Sequence, residues 1–149
     1  MMPFKQILAP IDFSAQSARG LAQARAMATA CGARLDVLHV VEEPTFPAMY
    51  SATMHELYGA VPDLNRQALA ALDDLLEEAG GKDVETGMHV VRGRAADEIV
   101  RFAEEHGTDL VVLPSRGLTG LEHWVLGSTA EKVVRRAPCS VLVVKPLPE

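Results

Sequence analysis

The chain has 149 residues, of which 48% are hydrophobic and 23% charged, and this composition is typical of one globular domain with a substantial core. A net charge of −6 argues against a protein that coats nucleic acid, because affinity for the phosphate backbone comes from lysine and arginine. No apolar run reaches the roughly 18 residues of a membrane span and the N-terminus has no secretory or transit signal, so we expect one cytoplasmic domain over residues 1–149 without membrane contact.

Apolar runs and helical spacing alternate along the chain. In chain order they predict strand 5–11, helix 14–32, strand 33–41, helix 62–81, strand 85–93, helix 95–107, strand 108–114, helix 128–137 and strand 139–145. Ser14 is expected to cap the first helix, and Gly32 and Gly107 are expected to end the first and third helices. Residues 42–61 show no clean period and are interpreted as a long excursion.

The alternation of five strands with four helices predicts an α/β fold. Strands that are continuous runs of Val, Ile and Leu are typical of a sheet buried on both faces. We therefore predict a single doubly wound, Rossmann-like domain with five mostly parallel strands. Ligands bind such sheets beyond the carboxyl ends of the strands, which places the candidate site near residues 10–14, 40–43, 92–95 and 114–129.

The two cysteines, Cys31 and Cys139, lie far apart in the chain and belong to no metal-binding or redox spacing. A fold stabilised by disulfides would contain more of them. We therefore expect both to be reduced thiols.

A glycine-rich segment joins the fourth predicted strand to the fourth predicted helix. Gly117 and Gly120 allow the backbone to approach a ligand closely, and Gly127 stands directly before Ser128 and Thr129 at the predicted helix start. Unpaired N–H groups and the helix dipole favour an anion at such a start. The segment is therefore a candidate phosphate-binding loop.

Two residues of this candidate site also have purely structural interpretations. Ser128 and Glu131 fit the capping box S-x-x-E, which explains both without a ligand. Asp12, just after the first strand, is suited either to capping a helix or to binding ribose hydroxyls, and capping is the commoner role. The residues alone leave these alternatives open.

The better-known phosphate loops are absent. No glycine is followed by Lys and then Ser or Thr, as the P-loop requires, and position 119 is Thr where G-x-G-x-x-G would need glycine. The segment also follows the fourth strand rather than the first. The chain is therefore neither a P-loop NTPase nor a Rossmann dehydrogenase by its motifs.

Nearly the whole chain resembles the universal stress proteins. The stretches "KQILAPIDFSAQSARGLAQARAMA", "DVLHVVE" and "DLVVLPSRGLTGLEHWVLGSTAEKVVRRAPCSVLVVKP" carry the resemblance. ATP-binding members of that family have the pattern G-2x-G-9x-G-[S/T], and here Gly117, nine further residues, Gly127 and Ser128 match it. Pro114 stands at the pattern's first glycine, and a proline has no N–H to offer a phosphate.

The resemblance implies an adenine-nucleotide site. Pro10, Ile11 and Asp12 would line the ribose and adenine end, Val40 would hydrogen-bond the adenine edge through its backbone, and Leu113 would flank the ring. The residues implied at the phosphates are Ser115, Arg116, Gly117, Leu118, Thr119, Gly120, Gly127, Ser128, Thr129 and Ala130. Mg²⁺ can accompany the phosphates without a protein cluster that binds it directly.

The resemblance also implies a homodimer through residues 140–144. An apolar strand at a sheet edge is an aggregation risk unless another chain or element covers it. The same likeness favours a stress-response regulator that binds ATP, or AMP or ADP, and hydrolyses ATP slowly at most.

The sequence leaves two other classes of protein open. One is a dimeric stress or scaffold protein without a nucleotide, in which the segment 42–61 would offer the interaction surface. The other is a small nucleotide hydrolase, but Ser128 has no evident base beside it and none of the five histidines has a ligand spacing. The S-G-G-x-D-S loop of the adenine-nucleotide α-hydrolases is replaced here by "PIDFSAQS".

Overall fold

Strands and helices alternate strictly in the part of the chain that the structure, a computed structural model, describes: residues 3–42, 63–79, 83–116 and 126–147. In chain order the elements are β1 (Gln6–Pro10), α1 (Ala15–Cys31), β2 (Arg34–Val41), α2 (Asp63–Glu78), β3 (Thr86–Arg92), α3 (Ala95–Glu105), β4 (Leu110–Pro114), α4 (Ser128–Arg136) and β5 (Ser140–Val144). Each falls inside its predicted range. The predicted excursion 42–61 lies outside the described residues except for Glu42.

The five strands form one sheet in the order β3-β2-β1-β4-β5, and every neighbouring pair is parallel. The predicted doubly wound α/β domain is therefore confirmed. The chain moves outward from β1 to β3, then crosses the sheet to β4 and continues outward to β5. The point where the direction reverses lies between β1 and β4, and this is where doubly wound sheets bind ligands.

Helices cover both faces of the sheet, which explains why its strands are apolar throughout. On one face, α1 and α2 bury Leu21 and Leu72 against Ile7. On the other face, α3 and α4 bury Ile99 and Val133 among the opposite side chains of the same strands. Successive residues of β1 thus belong to two different cores, one on each side of the sheet.

The predicted signals at the ends of α1 and α3 are confirmed. The Ser14 side chain accepts a hydrogen bond from Ser17 N and caps α1. Gly32 ends α1 in the left-handed conformation at φ 63°, where its N–H reaches the carbonyls of Ala28 and Thr29. Gly107 follows α3 with φ 65°. Both cysteines are unbonded thiols, as predicted.

An aspartate at the start of the fourth strand holds the beginning of the first. Asp109 Oδ2 accepts a hydrogen bond from Lys5 N at 2.8 Å, and Asp109 Oδ1 accepts one from Gln6 N at 3.1 Å. Asp109 N in turn donates to Gln6 O at 2.9 Å. These three bonds fix the register of β1 against β4 at the amino ends of the two strands.

An ion pair joins the two helices that cover the second face. Arg136 at the end of α4 donates to Asp97 Oδ1, in the first turn of α3, at 2.6 Å. This hydrogen bond is the largest cause that lowers the pKa of Asp97 below its usual value, and the positive charges of Arg136, Arg94 and Lys132 add to it. Since the folded pKa is depressed, the pair stabilises the fold above the usual carboxyl pKa of about 3.9 and ceases to do so as the pH falls through the folded value.

We therefore expect Arg136→Gln to raise the pKa of Asp97 towards its usual value, because the charged donor is lost. An NMR pH titration of the Asp97 carboxyl carbon measures this directly. Arg135→Gln is the matched control, since Arg135 pairs with Glu131 instead, and it should leave the titration unchanged. An Asp97 titration that is the same in wild type and Arg136→Gln would contradict the assignment.

Candidate functional site

A cleft of about 800 Å³ opens at the carboxyl ends of β1, β2 and β4. Its floor is formed by the strand ends at Pro10, Val40 and Leu113, and its wall by the first turns of α3 and α4. It lies at the reversal between β1 and β4, and residues from all four predicted stretches line it.

The cleft brings together ten of the residues assigned to the nucleotide site from the sequence. They are Pro10, Ile11, Asp12, Val40, Leu113, Arg116, Gly127, Ser128, Thr129 and Ala130. Ser115 does not line it: this residue is buried, its N–H donates to Val144 O and its carbonyl accepts from Gly127 N. Gly117, Leu118, Thr119 and Gly120 lie outside the described residues, so their predicted contacts stay predictions.

The first turn of α4 is open towards the cleft, and the predicted capping box is wrong. The N-cap is Gly127, in an extended conformation at φ −61° and ψ 155°, and it has no side chain to give. Ser128 is already the first helical residue, and Glu131 forms an ion pair with Arg135 at 2.9 Å. Among the residues that the structure describes, no side chain caps the first N–H groups of α4, and such groups favour an anion.

The Gly127 backbone closes the base of the loop that precedes α4. Its N–H donates to Ser115 O at 2.6 Å. A Cβ at this position would lie 3.1 Å from that oxygen and 3.3 Å from Arg116 Cα, so the backbone segments approach too closely for a larger residue to fit without displacement. Glycine at 127 thus has a packing reason, in addition to its match to the family pattern.

Asp12 supports the cap of α1 rather than capping it. Its Oδ1 accepts hydrogen bonds from Ser14 N at 2.9 Å and from Ser14 Oγ at 2.5 Å, while Ser14 occupies the N-cap. Of the two interpretations left open for Asp12, the one as a helix cap is therefore wrong, and the predicted cap Ser14 is confirmed. Its half-buried carboxylate lies on the cleft wall, and this position is compatible with the predicted contact to ribose hydroxyls.

The cleft also contains residues that we did not assign to the site from the sequence. His39 Nδ1 lies 2.7 Å from Ile11 O, and the Phe13 ring packs on the His39 imidazole with centroids 4.6 Å apart. Glu42 Oε1 accepts a hydrogen bond from Ala95 N at 3.2 Å and so caps α3 from a distant part of the chain. Ile99, Leu126 and Leu38 add apolar surface. The position of His39 and Glu42 at the carboxyl end of β2 was the available signal.

Pro114, which replaces the first glycine of the family pattern, ends β4 and lines the cleft. It has no N–H, but the next donor, Ser115 N, bonds Val144 O of β5 at 3.1 Å, so the strand pairing continues past it. The proline ring packs against α1, where a Cβ at Gly20 would lie 3.4 Å from Pro114 Cδ. Proline at this position is therefore accommodated by the fold.

Among the described residues that line the cleft, the charged ones are Asp12, Glu42 and Arg116. The described residues contain no group of three or more His, Cys, Asp or Glu side chains suited to holding a metal ion. None of the described helices is long and apolar enough to cross a membrane.

Fold and cleft together define a doubly wound α/β domain with a cleft at the reversal of its sheet. The chain belongs to the universal stress protein family, whose model matches residues 3–145. The sequence is 36% identical to universal stress protein MJ0531 of Methanocaldococcus jannaschii over 143 residues, which cover 95% of this chain and 82% of that protein.

Two solved structures are similar over almost their full lengths. The hypothetical protein MJ0577, a test case of structural genomics for the structure-based assignment of biochemical function, superimposes with a TM-score of 0.83 at 27% identity, covering 99% of both chains. A universal stress protein in complex with cAMP superimposes with a TM-score of 0.64 at 25% identity, covering 96% of this chain and 98% of that one.

Proposed function

We propose that this universal stress protein binds ATP in the cleft between the ends of β1, β2 and β4 and acts as a nucleotide-binding regulator. The uncapped first turn of α4 carries the proposal, because it presents N–H donors and a positive helix end to the cleft. The match of Gly117, Gly127 and Ser128 to the ATP-binding pattern supports it. So does the cAMP complex of a family member, since cAMP is also an adenine nucleotide.

In this proposal the two ends of the nucleotide meet different surfaces of the cleft. The phosphates lie at Gly127, Ser128 and Thr129, where backbone N–H groups and two hydroxyls can donate to phosphate oxygens. The adenosine lies over Val40 and Leu113, where the surface is apolar. Mg²⁺ accompanies the phosphates as part of the ligand.

We further propose a binding protein rather than an enzyme, since the cleft holds no nucleophile with an adjacent base among its described residues. A homodimer through β5 belongs to the same proposal. In the described chain β5 is the outer strand of the sheet and pairs with β4 on one side, so its other side can accept a second subunit.

The test is a thermal-shift and calorimetric titration with ATP·Mg²⁺, ADP and AMP. A ligand that binds only the folded chain must raise the melting temperature, by a stabilisation of about 2.7 kcal/mol at a hundred times its Kd. We expect the largest shift with ATP, and a smaller one in Ser128→Ala because a phosphate donor is removed. Thr29→Ala is the matched control, since it removes an exposed hydroxyl of α1.

Absence of a shift at millimolar ATP would overturn the nucleotide proposal and leave the dimeric scaffold as the function of this chain. Equal shifts of the melting temperature in wild type and Ser128→Ala, with ATP and AMP binding equally, would instead show that the first turn of α4 is not part of the phosphate site.

A further inference from the structure

At the cleft, the series of backbone hydrogen bonds between β1 and β2 lacks the last bond that its spacing would allow. Arg34 N donates to Lys5 O, and Ile11 N donates to Leu38 O, which fixes the register of this parallel pair. Because the pattern repeats every two residues, the next rung would run from Val40 N to Ile11 O. That rung is not formed among the residues that the structure describes.

A side chain occupies the acceptor instead. His39 Nδ1 lies 2.7 Å from Ile11 O. A carbonyl oxygen can only accept, so Nδ1 carries the proton and donates it. The His39 side chain thereby replaces the backbone donor of the residue that follows it. The Val40 N–H stays on the side of β2 that faces the cleft, and Val40 is among the residues that line it.

Phe13 keeps the next rung open as well. It is a non-glycine residue in the left-handed conformation, at φ 64°, which costs conformational energy and turns the chain from β1 into α1. The rung from Phe13 N to Val40 O is therefore also missing from the described backbone bonds. The Phe13 ring packs on His39 at 4.6 Å and 48°, which restrains the imidazole.

We infer that His39 is a positioning residue that makes the chain selective for adenine, by holding Ile11 O away from Val40 so that both backbone groups of Val40 can bind the base. This inference rests on the proposed function and extends it to a residue that need not touch the ligand. Val40 then offers one N–H donor and one carbonyl acceptor, side by side, at the open end of β2.

That order of groups matches one purine edge and not the other. Adenine presents an acceptor at N1 beside the donor on N6, which suits a backbone N–H and C=O from the same residue. Guanine presents a donor at N1 beside the acceptor O6. Its donor would therefore face the Val40 N–H, and its acceptor would face the Val40 carbonyl. A buried polar group left without a partner is costly, so the cleft would bind adenine more tightly than guanine.

The experiment pairs a change in the protein with a change in the ligand. Wild type, His39→Asn and His39→Leu are titrated by calorimetry with ATP and with 1-deaza-ATP, in which a C–H group replaces N1. Asparagine can place an amide N–H near the position of the imidazole Nδ1–H, whereas leucine has no donor. GTP is titrated alongside as the wrong purine.

We expect wild type to bind ATP about tenfold more tightly than 1-deaza-ATP, since one hydrogen bond to the base is lost. In His39→Leu the ratio should fall towards one, because Val40 N–H returns to Ile11 O and no longer serves the ligand. His39→Asn should restore the wild-type ratio. A merely structural role of His39 would weaken both ligands equally and leave the ratio unchanged.

Hydrogen exchange of the ligand-free protein tests the same inference without a nucleotide. The Val40 amide should exchange quickly in wild type and become protected in His39→Leu. A Val40 amide that is equally protected in all three proteins overturns the inference, and so does a constant ratio of ATP to 1-deaza-ATP. Failure of the proposed function is distinguishable, because wild type would then bind neither ligand whatever the exchange rates.

Discussion

Gly127→Val is expected to weaken ATP binding by at least about tenfold. The substitution places a branched side chain where even a Cβ would lie 3.1 Å from Ser115 O and 3.3 Å from Arg116 Cα. Because both neighbours are backbone atoms, the chain before α4 must shift. The first N–H groups of the helix then no longer point at the phosphate. Losing one charge-assisted hydrogen bond to a phosphate costs roughly 1.5–3 kcal/mol, or about tenfold or more in affinity.

Calorimetry with ATP·Mg²⁺ measures this change, and Gly127→Ala serves as the graded variant because it adds the Cβ without the branch. Its affinity should lie between those of wild type and Gly127→Val. The melting temperature without ligand shows whether each variant is folded. Wild-type affinity in a folded Gly127→Val protein would contradict the assignment of this backbone to the phosphate site.

Leu8→Ala is expected to lower the free energy of unfolding by about 2–5 kcal/mol. Leu8 is fully buried in β1, the central strand, and packs in the core beneath α3 and α4. Truncation leaves a cavity that the flanking strands, paired on both sides, cannot readily close. Leu8 does not line the cleft, so ATP affinity of the folded variant should change little.

Urea denaturation gives the stability, and Leu69→Ala is the matched control because 39% of Leu69 is exposed on α2. This control should change the stability by less than about 0.5 kcal/mol. A Leu8→Ala variant as stable as Leu69→Ala would show that the second core contributes little. Loss of ATP binding in a folded Leu8→Ala protein would show that the cleft depends on that core.

The order of elements was predictable because each depends on a short stretch of sequence. A strand buried on both faces needs a continuous apolar run, and the stretch that forms β4 is such a run. Gly32 and Gly107 mark helix ends because only a residue without Cβ adopts the left-handed conformation without strain. Because ligands bind parallel sheets beyond the carboxyl ends of the strands, the stretches that line the cleft followed from the order of elements.

The N-cap of α4 could not be identified from its residue types. Ser128 and Glu131 satisfy S-x-x-E, but a cap requires an extended backbone at the serine, and that backbone belongs to Gly127. Gly127 N donates to Ser115 O, and the N-cap lies one residue before Ser128. The error concerns one position, and it replaces a side-chain cap from Ser128 by a glycine N-cap, which has no side chain to give.

The remaining site residues depend on contacts between distant parts of the chain. His39 meets Ile11 across 28 residues and Glu42 meets Ala95 across 53. Asp36 in β2 is buried and binds His89 of β3, and Gly87 makes room for it, since a Cβ there would lie 2.6 Å from Asp36 Oδ1. Register and side-chain orientation decide such pairs, and neither is contained in the local hydrophobic pattern.

The hydrogen bonds of Asp109 also bear on how the chain is made. Lys5, which they hold, leaves the ribosome 104 residues before its partner. The first strand is synthesised early, yet its second neighbour in the sheet arrives only with β4. The core on its Leu8 side is completed later still, since α4 follows β4 in the chain. Because such long-range pairings are slow to form, we expect the first strand to gain its second neighbour late in folding.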